Sequence, residues 1–230
     1  MVIKKCLQIK FIIRYKLSNL LVPLFYQQHI NQDSQIAIWK IEEDEHFFLQ
    51  KVLPQREISN LHKRLQHLAA RYLLCYLYDD FSLNRVVVSE NGKPFLPNAE
   101  YHFSISHSKN FAAVIISKTK NVALDIEMLD NKVERIINKF LNETEKQQML
   151  QTIKNKGFEY LPTLLWSAKE TMFKFYAEGN VDFKTMLRID IDSLNKEMVK
   201  ALIDIDKTKI SLNILYKILN EICITYAIES

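Results

Sequence analysis

Three short runs of this 230-residue chain place acids, bases and hydroxyls at spacings that can do chemistry. Val122 to Glu127, Val-Ala-Leu-Asp-Ile-Glu, reads as a strand closing on two acids one residue apart. Strand alternation puts Asp125 and Glu127 on one face and turns Ile126 toward a core. Two like charges so placed repel unless water or a cation lies between them. A hard divalent ion such as Mg²⁺, held by one or two carboxylates and completed by phosphate oxygens, would answer that repulsion. A bare Asp-x-Glu is more often a solvated strand end, so the surrounding residues decide. In the second run, Trp166, Glu170 and Lys174 step by four along one side of a predicted helix, with Lys169 and Phe173 flanking. An exposed Glu–Lys pair would be worth only about 0.3–0.5 kcal/mol. The tryptophan on the same stripe argues against full exposure, which makes Glu170 a candidate third carboxylate and Lys174 a cation one turn away.

The third run is Tyr101 to Ser108, Tyr-His-Phe-Ser-Ile-Ser-His-Ser. His102, Ser104 and Ser106 share a strand face. A chain reversal after Ser106 would leave His107 and Ser108 in a loop, where hydroxyls, imidazole and turn amides make a phosphate cradle. A Ser–His nucleophile is disfavoured, because adjacent residues cannot normally take that geometry and the glycines of a nucleophile elbow are missing. Taken alone, Ser-His-Ser is most often a polar turn.

The elements that must hold these runs follow from periodicity. Strands are predicted at Gln35–Ile41, Arg85–Ser89, Tyr101–Ser106, Phe111–Ser117, Val122–Glu127, Met186–Ile191, Ile210–Leu215 and Ile222–Ile228. Leu61, Leu65, Leu68, Ala69, Tyr72, Leu73 and Tyr76 recur at three- and four-residue steps, predicting a helix from Arg56 to Tyr78. Lys63, Arg64, His67 and Arg71 lie off that stripe and read as a solvated basic face. Shorter helices are predicted at Phe47–Val52, Val133–Leu141 and Thr144–Ile153, and a longer one at Tyr160–Tyr176 with Pro162 in its first turn. The order strand, helix, long helix, strands appears twice, from Ile36 and again from Val122, without detectable sequence identity.

Composition narrows the function. Hydrophobic residues make up 48% and charged residues 25%, as in a soluble globular protein. A net charge of +4 suits phosphorylated ligands or acidic protein partners, and is too small to single out nucleic acid. The only glycines are Gly92, Gly157 and Gly179, which excludes a P-loop and a Rossmann fingerprint. Cys6, Cys75 and Cys223 have no metal or redox spacing, consistent with a reducing, cytoplasmic setting. Residues 1–20 carry five bases and no acid, and their longest apolar run is too short for a signal core or a membrane span. They read as a basic extension, with an N-terminal half over 21–121 and a C-terminal half over 122–230.

Five blocks, in order and spacing, resemble the 4′-phosphopantetheinyl transferases of the longer, surfactin-synthetase-type class. They are Asn91-Gly92-Lys93-Pro94, His102 to Ser108, Leu124-Asp125-Ile126-Glu127, Phe140-Leu141-Asn142-Glu143-Thr144-Glu145, and Leu165-Trp166-Ser167-Ala168-Lys169-Glu170-Thr171-Met172-Phe173-Lys174. The resemblance runs from about Arg64 to Lys174. It implies an α+β fold of two similar halves about a pseudo-twofold axis, each a small antiparallel sheet packed on a long helix, with coenzyme A between them. It implies Mg²⁺-dependent transfer of phosphopantetheine from coenzyme A to a serine of an apo acyl or peptidyl carrier protein, with release of 3′,5′-ADP, by a monomer.

By the same resemblance Asp125, Glu127 and Glu170 are metal ligands, and Lys174 neutralises the reacting phosphate. Glu145 accepts the serine proton, directly or through water. Ser106 and His107 bind phosphate, His107 meeting the 3′-phosphate, while Lys93 and Pro94 lie along the adenosine end. Lys169 is a supporting charge in the cofactor site. Arg64 and Arg71 match an arginine motif of part of the family and are carried over as contacts to coenzyme A phosphates. Two rival readings remain: another Mg²⁺-dependent phosphoesterase, and a relative that binds coenzyme A or a carrier protein without turnover.

Overall fold

A computed structural model describes residues 24–54 and 56–229. The basic extension over 1–20 lies outside the described residues. The first half builds a four-stranded antiparallel sheet in the order β1-β2-β6-β5, from β1 (Leu24–His29), β2 (Ser34–Lys40), β5 (His102–Ser108) and β6 (Phe111–Ser117). The second half builds a five-stranded antiparallel sheet in the order β7-β11-β10-β9-β8, from β7 (Val122–Met128), β8 (Leu187–Asp190), β9 (Met198–Ile205), β10 (Thr208–Leu219) and β11 (Ile222–Ile228). A separate ribbon pairs β3 (Val87–Val88) with β4 (Pro94–Phe95) around Gly92, whose φ of 80° suits the turn.

Alternation along the strands sorts the core into layers. Ile36, Ile38, Ala113 and Ile115 of the first sheet meet Leu124, Ile126, Ile222 and Ile224 of the second in one buried cluster. On the far side of the first sheet, Ala37, Trp39, Val114 and Ile116 pack with Leu68, Leu73 and Leu74 of helix α2 (Leu61–Leu77). On the far side of the second, Ala123, Cys223 and Ala227 pack with Leu164, Leu165, Ala168 and Met172 of helix α5 (Leu161–Tyr176). The molecule is therefore a mixed α+β stack of helix, sheet, sheet and helix, and β5 runs beside β7 where the sheets meet.

Local chemistry fixes the helix ends. Asp44 caps α1 (Glu45–Leu49), and Asn60 caps α2 through the Lys63 amide. Val133–Leu141, predicted as one helix, splits into a single turn of 3₁₀ helix and the short α3 (Ile137–Phe140). Asn142 and Glu145 form a reciprocal capping box on α4 (Glu143–Lys156), and Gly157, at φ 67°, closes it. Three strands go beyond the sequence prediction: β1, β9 and the short β4. The strand predicted at Tyr101–Ser106 runs on to Ser108, and the chain reverses at Lys109 and Asn110 instead. Among the described residues no helix is long and apolar enough to cross a membrane.

Candidate active site

Asp125 is the centre of the site and is 4% exposed, so its charge must be met by protein groups. Two elements supply them. Ser106 Oγ on β5 donates to Asp125 Oδ1 at 2.8 Å, and Lys174 Nζ on α5 donates to the same oxygen at 2.7 Å and to Ser106 Oγ at 2.9 Å. Ser167 Oγ, also on α5, donates to Oδ2 at 2.9 Å and contacts Thr225 of β11. Glu127 repeats the pattern two residues on. It accepts from Ser108 Oγ at 3.2 Å and from Trp166 Nε1 at 2.9 Å. Trp166 is held by Phe140 and stacks on Phe183 with ring centroids 5.7 Å apart. The serines of β5 thus pair in register with the acids of β7, and α5 closes over both.

Glu170 is the third acid of the cleft. Burial, then the charges of Asp125 and Glu127, push its carboxyl up to about 7, against the opposing pull of Lys174. Glu127 is also raised, by burial first and by Asp125 second. Three mutually repelling carboxylates are the oxygen-donor set that a hard divalent cation satisfies. They are not a finished cage: among the described residues no three His, Cys, Asp or Glu side chains are grouped to hold a metal, and Asp125 Oδ1 is shared by Lys174 and Ser106. The donors fit Mg²⁺ in kind and charge.

Cationic and imidazole groups lie on the α2 side. His107 continues β5 instead of sitting in a loop, and it is exposed at the mouth of the cleft. Its imidazole is held below the ordinary range by surrounding protein, then by Lys174 and His62, while Asp125 opposes the shift. Gln66 Nε2 donates to the Lys109 carbonyl at 2.7 Å, tying α2 to the β5–β6 turn. One residue along α2, His67 is buried and its Nε2 has no hydrogen-bond partner. Burial, followed by the charges of Arg71, Arg56 and His107, drives its imidazole down to about 4. Arg71 is itself 8% exposed and lowered to about 10, by burial and then by Arg56, and so keeps its charge at neutral pH. His67 and Arg71 therefore leave the solvated basic face expected of them.

On the opposite side of the cleft, Lys93 and Pro94 line a pocket of about 190 Å³ with Ser104, Ile105, Phe173 and Lys174. Lys93 Nζ donates to the Lys174 carbonyl at 2.9 Å, and Asn91 Nδ2 to that of Ala177 at 3.3 Å, so the ribbon is latched to the end of α5.

Three expected site residues sit elsewhere. Lys169 has no exposed surface; its Nζ donates to Glu145 Oε2 at 2.7 Å and to the carbonyls of Phe140 and Phe183. Glu145 is 3% exposed and its oxygens also accept from the amides of Asn142 and Ile189. Both belong to a buried ion pair beneath α5. Arg64 clasps Glu45 and the carbonyls of Ile58 and Ser59, so its guanidinium braces the loop before α2. Ser108, expected in a phosphate cradle, donates to Glu127, and Trp166, Ser167 and Thr225 entered the site without being expected there. Trp166 and Ser167 fall inside a quoted block; Thr225 lies in an apolar strand with no signal to mark it.

No curated protein matches the chain in sequence. Residues 121–227 match the family model of the 4′-phosphopantetheinyl transferase superfamily, and that stretch carries Asp125, Glu127, Glu170 and Lys174.

Proposed function

We propose that the protein transfers the 4′-phosphopantetheine arm of coenzyme A to a serine of an apo acyl or peptidyl carrier protein, releasing 3′,5′-ADP. The observation that carries this reading is Asp125 held between Ser106 and Lys174, with Glu127 and Glu170 beside it, in the matched domain. In this reading Asp125, Glu127 and Glu170 would hold Mg²⁺, which when bound neutralises charge on the pyrophosphate. Lys174 supplies a second positive charge at the reacting phosphate, one helical turn from Glu170. His107 and Arg71 would take the 3′-phosphate end, and the pocket beside Lys93 and Pro94 the adenosine.

Transfer of this kind needs positioning and charge neutralisation more than covalent help. The buried floor and the lid of α5 keep bulk water from competing with the carrier serine. The serine proton leaves through water to a carboxylate of the cleft, since Glu145 is sealed. The two sheet-and-helix halves are read as pseudo-twofold relatives, as in the long surfactin-synthetase-type class, acting as a cytoplasmic monomer.

The test is incubation with coenzyme A, Mg²⁺ and a panel of apo carrier proteins, followed by intact-mass measurement. We expect one added phosphopantetheine per reactive serine, and none once divalent ions are chelated. Unchanged carriers in the presence of folded, coenzyme A-bound protein would leave a binder without turnover. Cleavage of simple phosphodiesters without a carrier would mark a phosphoesterase.

A further inference from the structure

Behind Asp125 three hydroxyls run in a line through fully buried space. Thr225 is the cross-strand partner of Asp125 in the β7–β11 pair, and Ser167 and Thr171 lie one turn apart on α5 above them. Ser167 Oγ is 2.9 Å from Asp125 Oδ2 and 2.9 Å from Thr225 Oγ1; Thr171 Oγ1 is 2.7 Å from Thr225 Oγ1. All three residues have no exposed surface. A threonine in mid-helix ordinarily bonds back to its own helix or faces solvent. Thr171 instead reaches the strand, where the Thr225 carbonyl lies at 3.2 Å.

Counting protons fixes the direction of this chain. A carboxylate only accepts, so the single hydrogen of Ser167 must go to Asp125. Ser167 then has only lone pairs to offer Thr225, whose hydrogen must point at Ser167. Thr225 in turn accepts from Thr171, and the 2.7 Å separation is the shorter of the two that Thr171 makes. Every hydrogen therefore points the same way, toward Asp125. Aligned hydroxyls polarise one another, and the last one becomes a stronger donor to the charged oxygen.

We propose that Thr171, Thr225 and Ser167 form an ordered hydroxyl chain that positions Asp125 for a divalent cation, with Thr225 as its central positioning residue. The inference rests on the reading of Asp125 as a metal ligand. The chain fixes Oδ2 against the floor, so Oδ1 alone turns toward the cleft. Lys174 and Ser106 meet Asp125 at Oδ1, so the oxygen that exchanges partners is separate from the oxygen that is held. Residues that orient metal-binding side chains typically alter metal affinity on the order of 10- to 100-fold when replaced.

The experiment is direct Mn²⁺ binding to the full-length protein, read by electron paramagnetic resonance, alongside thermal unfolding of the metal-free protein. Thr225→Val keeps the branched shape and removes the hydroxyl. It should weaken Mn²⁺ binding roughly tenfold with little change in unfolding temperature. Thr225→Ser should restore binding, and Thr171→Val, one step further from the carboxylate, should have a smaller effect than Thr225→Val. If Thr225→Val fails to fold, Thr171→Val and Ser167→Ala give the same comparison. Wild-type affinity in a folded Thr225→Val protein would overturn the hydroxyl chain while leaving the metal reading intact. Equal losses in Thr225→Val and Thr225→Ser would also overturn it, because shape and not the hydroxyl would then be responsible. A wild-type protein that binds no Mn²⁺ would overturn the metal reading and the inference together.

Discussion

At the scale of single residues, neighbours on one strand do opposite jobs. Ser106 faces Asp125, while His107 is pushed below its usual range by the surrounding protein, then by Lys174 of α5 and His62 of α2. If His107 meets the 3′-phosphate, it acts far from the bond that breaks. A hydrogen bond to a charged group contributes roughly 1.5–3 kcal/mol, so His107→Ala should raise the KM for coenzyme A about ten- to a hundredfold and leave kcat nearly unchanged. Dephospho-coenzyme A should bind wild type and mutant almost equally poorly; equal penalties for both cofactors would move His107 out of the phosphate site. His67 gives a different signature. Its imidazole titrates near 4 when folded and near 6.5 when unfolded, so between those values the unfolded chain binds the extra proton. Stability from this residue is complete above pH 6.5 and is lost as the pH falls toward 4, by at most about 3 kcal/mol. Urea unfolding at pH 7 and pH 5 should show that loss in wild type and a smaller one in His67→Gln. The pairing of Asp125 with Glu127 was legible from alternation alone. The burial of His67 was not, because the β5–β6 turn that meets this part of α2 comes from distant sequence.

At the scale of elements, α5 carries two different charge systems on adjacent stripes. Glu170 and Lys174 face the cleft, whereas Lys169 turns inward to the capping-box glutamate of α4. The sequence shows both lysines within one block, but only the fold decides which meets solvent. Removing one partner of a buried ion pair typically costs about 3–5 kcal/mol, because the other charge stays buried. Lys169→Met should therefore lower stability by that order. Lys169→Met combined with Glu145→Met should lose less than the sum of the single changes, as denaturant unfolding will show. Glu145→Gln separates structure from chemistry: turnover per folded molecule should stay within a few-fold of wild type. A collapse of kcat in a fully folded Glu145→Gln protein would return Glu145 to the catalytic set. The strand missed at β9 was within reach of alternation: Val199, Ala201, Ile203 and Ile205 point inward with full period two, and Lys200 and Asp204 fall between them. The β5 extension was missed because Ser-His-Ser looks like a turn until Ser108 pairs with Phe111.

At the scale of the whole molecule, the domain matched to the superfamily is not a free-standing unit. Its β7 and β11 present Leu124, Ile126, Ile222 and Ile224 to the first sheet, all fully buried there. The alternation that pointed Asp125 one way had to point Leu124 and Ile126 the other, but the sequence did not say what would cover them. Ile36, Ile38, Ala113 and Ile115 of the first half do so. The same half supplies Ser106 and Ser108 to the acids, so cover and chemistry come from one surface. A fragment of residues 121–230 would expose those side chains, at about 25 cal/mol for each Å² of apolar area returned to water. Uncovered apolar faces of that kind drive association. The fragment should therefore self-associate or precipitate, and sedimentation velocity should detect no monomer at micromolar concentration. Separately produced residues 24–120 should restore a soluble one-to-one complex of the two halves. A single charge tests the same face without cutting the chain: Ile224→Lys should destabilise the intact protein by several kcal/mol, since a buried lysine there has no acid to meet. A soluble, monomeric fragment 121–230 would show that the second half covers its own core, and that the first half contributes chemistry alone.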